Sequence, residues 1–124
     1  MLVISEASNQ ALQRRQVDGF RMRLTSWLYA NGPAFGCPQP SQVQAQEACD
    51  TALALCLPHD IRREGDVARI AIRALRNGPG IADQPEFDYL RAALAAQTVD
   101  PDRRVMLVKL IEIGHQPRTG PWHV

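Results

Sequence analysis

Apolar side chains recur every three or four positions along most of the chain, which is the spacing of one face of an α-helix. The clearest case is the stretch from Asp60 to Gly80, DIRREGDVARIAIRALRNGPG. The run NGPG ends this helix, because glycine tolerates a left-handed backbone and proline cannot continue a helix. Its apolar side carries Val67, Ile70, Ala71, Ala74 and Leu75. We therefore predict an amphipathic helix here, with Asp60 or a nearby polar group capping its start.

Two helices are predicted before this stretch. The first extends from about Glu6 to Tyr29. The segment from Gly32 to Pro40 follows; it is rich in glycine and proline, and we expect a loop without regular structure in which Phe35 packs as an anchor. The second helix follows Ser41, a residue type that caps helix starts, and it ends before Pro58.

Two more helices are predicted after it. Proline and acidic residues favour the first turn of a helix, so the run PEFD is expected to begin a helix that ends near Ala96. The pair Asp100-Pro101 gives the same start signal for the last helix, which we expect Gly114 to end. The tail HQPRTGPWHV is expected to be loose unless Trp122 docks on the fold.

The core-facing positions of these four helices follow from the same periodicity. They are Leu12, Val17, Phe20, Leu24, Trp27, Leu28, Val43, Ala45, Ala48, Ala52, Leu55, Cys56, Phe87, Leu90, Leu94, Val105, Val108 and Ile111, with Met106, Leu107 or Leu110 widening the last stripe. No segment alternates convincingly with the period of two that a half-buried strand requires. We therefore predict an all-α fold, a single-domain bundle of about five helices over residues 1–124 with residues 114–124 as a loose C-terminal tail.

Size and composition agree with that fold class. The chain has 124 residues, of which 45% are hydrophobic and 22% charged, so it can bury one modest core. Its net charge of +1 gives no general reason to expect a nucleic acid or a membrane surface as partner. The first residues lack the pattern of a secretory signal, and no apolar run approaches the roughly 18 residues of a membrane span. We expect a cytoplasmic protein.

The number of cysteines also favours a cytoplasmic protein. Three cysteines leave one thiol over if any two pair, which suits a reducing compartment. Cys49 and Cys56 are about two helical turns apart, which is too far for a disulfide, and we interpret them as small buried residues. Cys37, in the Gly/Pro-rich segment, is the least implausible nucleophile, but nothing in the sequence places a base beside it.

Residue chemistry offers little support for a catalytic or metal site. No histidine or cysteine pair has metal-ligand spacing, and the glycines near Gly78 close a helix instead of opening one around a phosphate. Acidic residues near Glu86 are expected at a helix start in any case. The sequence therefore predicts no catalytic residue, no metal ligand and no cofactor.

The strongest candidate surface is an arginine face on the central helix, formed by Arg62, Arg69, Arg73 and Arg76. Guanidinium groups one turn apart can bind phosphates or the carboxylates of a partner. Asp66 lies within this face and can pair with a neighbouring arginine. Three interpretations stay open: an ordinary solvated face, a contact with an acidic protein, and a contact with nucleic acid.

Two stretches resemble a known family. The first is HDIRREGDVARIAIRALRNGPGIADQPEFDYLRAAL, and the second is the opening ISEA followed by a long helix with Phe20 and Arg21; DPDRRVMLVKL fits the family's last helix. In these features the chain is similar to small helical proteins encoded beside type VI secretion effectors in Gram-negative bacteria. Ile81 stands where phenylalanine would be typical.

The resemblance implies an accessory role without catalysis: an adaptor, similar to a co-chaperone, that binds a secretion effector or its chaperone. An immunity protein that neutralises a toxic effector is the first alternative, and a small helical enzyme or regulatory binding module is the second. The candidate partner-binding residues are Arg62, Arg69, Arg73, Arg76 and Trp122. We expect a protein partner, with no nucleic acid and no membrane involved.

Overall fold

The computed structural model describes residues 16–37 and 40–115. It contains five α-helices: α1 (Val17–Asn31), α2 (Gln42–Cys56), α3 (Glu64–Asn77), α4 (Asp88–Leu94) and α5 (Pro101–His115). Short 3-10 turns at Gly32–Phe35, Leu57–His59, Pro79–Ala82 and Pro85–Phe87 lie between them. No strand occurs in the described ranges, so the predicted all-α bundle is confirmed.

Helix α3 is the central element of the bundle. It packs more extensively against α2 than against any other element, and it also contacts α1 and α5. Alanines on the facing side of α2 allow the close approach, since Ala45, Ala48 and Ala52 are all buried. Consequently α3 is covered on more faces than an amphipathic surface helix would be, and Ala68 and Ile72, outside its predicted apolar side, are buried too.

Two helix starts show what capping requires. At α2 the Ser41 hydroxyl accepts a hydrogen bond from the Gln44 backbone N–H at 3.0 Å, and the Gln44 side chain accepts one from the Ser41 N–H at 2.8 Å. This capping box confirms Ser41 as the N-cap. The predicted cap of α3 is wrong: Asp60 lies in the preceding turn with a left-handed backbone at φ 62°, and no side chain caps the helix at Arg63.

The segment after α1 is more regular than predicted. Residues Gly32–Phe35 form a 3-10 turn, so the expectation of a loop without regular structure is wrong there. Gly32 is required by close packing, because a Cβ at this position would lie 2.6 Å from the Pro40 ring. The ring of Phe35 packs on Trp27 with centroids 5.2 Å apart, which confirms its role as an anchor.

The other predicted boundaries agree with the structure to within a few residues. Helix α1 ends at Asn31; its predicted start at Glu6 lies outside the described residues. The PEFD run begins with a 3-10 turn and continues as α4 to Leu94. Helix α5 begins at Pro101 as predicted but continues through Gly114 to His115, so Gly114 does not end it. The predicted tail from residue 116 onward lies outside the described part.

Most predicted core positions that the structure describes are buried or packed against the core. The prediction is wrong for Val43, which is 64% exposed, and Met106 and Leu110, which were expected to widen the stripe of the last helix, are 57% and 59% exposed. Each lies on a helix face that no other described helix covers. No helix within residues 16–37 and 40–115 combines the length and the apolar content that crossing a membrane requires.

Candidate functional site

The predicted arginine face does not form one exposed surface. Arg69 is exposed and Arg62 half-exposed, and the guanidinium of Arg62 pairs with Asp60 at 2.8 Å. Arg76 is half-buried, and Arg73 is 1% exposed. The prediction that Arg73 belongs to the outer face of α3 is therefore wrong, because α5 covers that side of the helix.

Arg73 instead forms a buried cluster with Glu112 of α5 and Tyr89 of α4. Its Nε lies 3.0 Å from both Glu112 carboxylate oxygens, its Nη2 lies 2.7 Å from Oε1, and its Nη1 donates to the Arg69 carbonyl at 3.0 Å. The Tyr89 hydroxyl donates to Glu112 Oε2 at 2.9 Å. One carboxylate thus accepts hydrogen bonds from two helices, which fixes α5 against α3 and α4.

The electrostatics of this cluster follow from its burial. Burial and the neighbouring Glu112 carboxylate raise the pKa of Tyr89 to about 12. Burial, together with the positive charge of Arg73, lowers the pKa of the adjacent Arg76 guanidinium. The cluster satisfies its own charges, so we assign it a structural role and not that of a partner-binding surface.

Arg104 is a second buried arginine that the sequence gave no reason to single out. Its Nε donates to the Val99 carbonyl at 2.9 Å, and its Nη1 donates to the His59 carbonyl at 2.8 Å and the Leu94 carbonyl at 3.3 Å. These carbonyls lie in the turn before α3, at the end of α4 and in the turn that follows α4. Arg104 therefore connects the end of α4 and the turn before α3 to the start of α5.

Asp66 is buried in a position predicted to be solvated. It is 8% exposed, its Oδ1 lies 3.6 Å from the Arg69 Nη1, and its Oδ2 has no hydrogen-bond partner in the described part of the chain. Burial raises the pKa of the Asp66 carboxyl, while Arg63 and Arg69 oppose that rise. The carboxylate therefore has only partial compensation for its lost hydration.

Two adjoining cavities run along the surface between α1 and α2. We call them together the α1/α2 groove. Their volumes are about 350 Å³ and about 660 Å³, and they share Tyr29 and Gln42. The first is lined by Arg21, Met22, Thr25, Ser26, Tyr29, Gln42 and Gln46, and the second by Tyr29, Ala30, Pro33, Pro40, Ser41 and Gln42. Met22, in the lining of the first cavity, is 73% exposed.

An ion pair between the helices lies at one end of the α1/α2 groove. The Arg21 Nε is 2.5 Å from Asp50 Oδ1, and its Nη2 is 2.9 Å from Oδ2, so the contact is bidentate. The hydrogen bond and the charge of Asp50 raise the pKa of the Arg21 guanidinium. Arg21 is therefore held in place and its charge is balanced.

Helix α5 carries a second exposed apolar surface. Met106, Leu110 and Ile113 are spaced by four and three residues, so they follow one face of the helix, and each is exposed. We call this set the α5 stripe. The α5 stripe and the α1/α2 groove belong to different parts of the bundle, since α5 packs on α3 and α4 whereas α1 packs mainly on α2.

The cysteines fit the predicted packing role. Cys49 and Cys56 are buried free thiols, and burial raises their pKa values to about 11 and about 12. Burial also raises the pKa of the partly exposed Cys37 thiol. A raised thiol pKa opposes thiolate formation, which is the opposite of what a nucleophile needs. In the described ranges, no group of three or more histidine, cysteine or acidic side chains is placed to hold a metal ion.

A scan against protein-family models finds no match, and searches of curated proteins and of solved structures find none either. The candidate sites therefore rest on geometry alone. Of the predicted partner-binding residues, Arg69 and Arg62 are accessible, whereas Trp122 lies outside the described residues.

Sequence reasoning missed the exposed Met22 and Tyr29. Both lie on the side of α1 away from its predicted apolar stripe, so the periodicity gave no signal for them.

Proposed function

We propose that this protein is a non-enzymatic accessory protein of type VI secretion, which binds an effector or that effector's chaperone in the cytoplasm. The family resemblance supports the biological setting. The observation that carries the binding role is the exposure of large apolar side chains along the α1/α2 groove, above all Met22 and Tyr29. Contact with another protein would remove these side chains from water.

Burial of these side chains would contribute to recognition. Fully burying a large apolar side chain contributes about 1.5–3 kcal/mol, compared with about 8 kcal/mol for a micromolar interaction. Methionine adapts its shape to irregular surfaces, and tyrosine combines a large apolar ring with a hydroxyl that can find a partner. Both residue types are enriched at protein interfaces.

The α5 stripe supports the adaptor form of this proposal. An adaptor contacts two proteins at once and therefore needs two surfaces. The α1/α2 groove and the α5 stripe supply apolar side chains on separate helices. We assign the effector to one surface and its chaperone to the other.

The test is affinity purification of the tagged protein from its native host, followed by identification of the bound proteins. Two double variants probe the surfaces: Met22→Ser with Tyr29→Ser for the α1/α2 groove, and Met106→Ser with Leu110→Ser for the α5 stripe. Gln97→Ser, an exposed polar change in the turn after α4, is the matched control. We expect each double variant to lose a bound protein that the wild type and the control retain.

Two outcomes would contradict the proposal. If both double variants retain every bound protein, the apolar surfaces do not bind the partner. If a strain lacking the protein exports the effector at the normal rate, the accessory role itself fails. Survival of cells that produce the toxic effector together with this chain would indicate the immunity role instead.

A further inference from the structure

We infer that the start of α3 is a proton-sensitive junction, at which uptake of a proton by Asp66 tightens the packing of α3 against α2 and α5 and its release loosens that packing. The junction is the place where the first turn of α3 meets the end of α2 and the start of α5. This response belongs to the fold itself and does not depend on the proposed partner. It follows from the burial of Asp66, the charges around it and the local contacts of the junction.

The Asp66 side chain is enclosed without matching hydrogen bonds. Asp66 is 8% exposed, and its Oδ2 has no hydrogen-bond partner in the described part of the chain. The Arg69 Nη1 lies 3.6 Å from Oδ1, which is longer than an ordinary hydrogen bond. An ionised carboxylate loses more hydration on burial than a neutral carboxyl does. The enclosure therefore favours the protonated form.

Charged and titratable groups from three helices face Asp66 and offset this preference only in part. They are Arg63 and Arg69 of α3, Asp102 of α5 and Cys56 of α2. Both arginine side chains are partly exposed, so water screens their attraction for the carboxylate. Asp102 repels the ionised form, and Cys56, with a pKa of about 12, stays a neutral thiol. Burial consequently raises the pKa of Asp66 despite the arginines.

The junction is anchored separately from the far end of α3. Within the described chain, no side chain caps α3 at Arg63, so a contact that stabilises many helix starts is lacking here. At the far end, the buried Arg73–Glu112 contact holds α5 against α3. Glu112 and Asp102 are about 15 Å apart along α5. The first turn of α3 can therefore open locally while the far end stays packed.

The direction of the response follows from proton linkage. The ordinary pKa of the Asp66 carboxyl is 3.8, and the closed junction raises it. The closed form therefore binds this proton more tightly than the open form, in which the carboxyl is hydrated. The stabilisation of the closed form is complete below pH 3.8 and is lost as pH rises through the raised value. Each unit of pKa difference changes the ratio of open to closed forms about tenfold.

Hydrogen exchange of backbone amides, followed by NMR on the full chain between about pH 4 and pH 7, tests the inference. The Val67 N–H donates to the Arg63 carbonyl at 3.1 Å and reports on the junction, whereas the Gly78 N–H donates to the Ala74 carbonyl at 2.8 Å and reports on the far end. After correction for intrinsic exchange, protection of Val67 should fall with rising pH, about tenfold for each unit by which the raised pKa exceeds 3.8. Protection of Gly78 should show no such fall.

Two variants separate Asp66 from the other carboxylates. Asp66→Asn, which has no carboxyl to ionise, should remove the fall in Val67 protection. Asp102→Asn, which changes an exposed carboxylate at the same junction, is the matched control. It should retain the fall at a reduced size, because one repulsion of the ionised Asp66 is lost.

Three results would overturn the inference. They are a titration midpoint at or below pH 3.8 for the carboxyl carbon signal of Asp66, Val67 protection that does not fall, and an equal fall in wild type and Asp66→Asn. If Asp66→Asn does not fold, the wild-type protein decides alone. The midpoint of the Asp66 carboxyl signal must then coincide with the onset of the fall in Val67 protection, and a mismatch rejects the inference.

Discussion

Two ion pairs of the same chemistry lie in this bundle and differ in burial. Arg73 contacts Glu112 between α3 and α5, and Arg21 contacts Asp50 between α1 and α2; both contacts involve both carboxylate oxygens. The side chains of the first pair are 2% and 21% exposed, and those of the second are 39% and 45% exposed. Because both contacts are close and the exposures differ, we expect burial to set how much each pair contributes to stability.

Burial changes the consequence of losing a partner. In the half-exposed pair, water replaces the missing group, so a small energetic effect is expected. In the buried pair, the remaining charge has neither its partner nor full hydration, which is costly. The Arg73–Glu112 pair therefore fixes the position of α5. In the Arg21–Asp50 pair, the aspartate balances the charge of the arginine that lines the α1/α2 groove.

The largest expected effect comes from Arg73→Ala. This change removes the guanidinium that contacts the Glu112 carboxylate at 2.7–3.0 Å, and it should lower the free energy of unfolding by about 3–5 kcal/mol. Urea unfolding measures the change. Arg103→Ala, which changes an exposed arginine of α5, is the matched control and should change stability by less than about 0.5 kcal/mol. Equal losses in the two variants would contradict the distinction drawn from burial.

A smaller effect is expected for Tyr89→Phe, which removes one hydrogen bond to Glu112 and should cost about 1–3 kcal/mol. The contribution of the Tyr89 phenol to the free energy of unfolding also depends on pH. Its pKa is about 12 in the folded protein against 10.0 ordinarily, so the unfolded chain loses this proton first. Stability from Tyr89 is therefore present below pH 10 and is lost as pH rises toward 12. Unfolding curves over this range should show a steeper decline for the wild type than for the variant.

Asp66→Asn tests a buried carboxylate that is only partly compensated. Burial raises its pKa above the ordinary 3.8, so the folded protein holds this proton more tightly than the unfolded chain. This contribution to stability is present at pH below 3.8 and is lost as pH rises through the raised folded value. At neutral pH the variant should be more stable by about 1 kcal/mol. A variant that is less stable at neutral pH would show that Asp66 is well compensated by Arg63 and Arg69.

The smallest effect is expected for Arg21→Ala. Because water can replace the missing partner at this half-exposed pair, the variant should lose little stability, and added salt should reduce the loss further. The Arg73→Ala loss should persist at high salt, since buried charges are screened less. Unfolding free energies of both variants at low and high sodium chloride check this contrast. A loss at Arg21 that is large and independent of salt would remove the distinction between the two pairs.

Local signals in the sequence were enough to place the helices. The pair Asp100-Pro101 begins α5, Ser41 caps α2, and the glycine after Asn77 ends α3, because capping and backbone restriction act between residues close in the chain. The signals failed where tertiary context decides the boundary. Asp60 has a capping residue type but adopts a left-handed turn, which places it before the helix instead of at its start.

The surfaces proposed to bind a partner were harder to predict than the helices, because they also depend on tertiary packing. Periodicity shows which residues share a side of a helix, but not how much of that side another helix covers. Val43 and Met106 sit on predicted apolar stripes and remain exposed, and the α1/α2 groove exists only because α1 and α2 pack side by side. No pattern within either helix describes the space between them.

The arginine face shows this division most clearly. The sequence alone determined that Arg69 and Arg73 lie one turn apart on the same side of α3, because the helical repeat fixes that relation. Only the tertiary structure decided that Arg69 is exposed and Arg73 buried, since Glu112, 39 residues farther along the chain, comes to lie against one and not the other. Side-chain direction is local information, whereas burial depends on packing between distant segments.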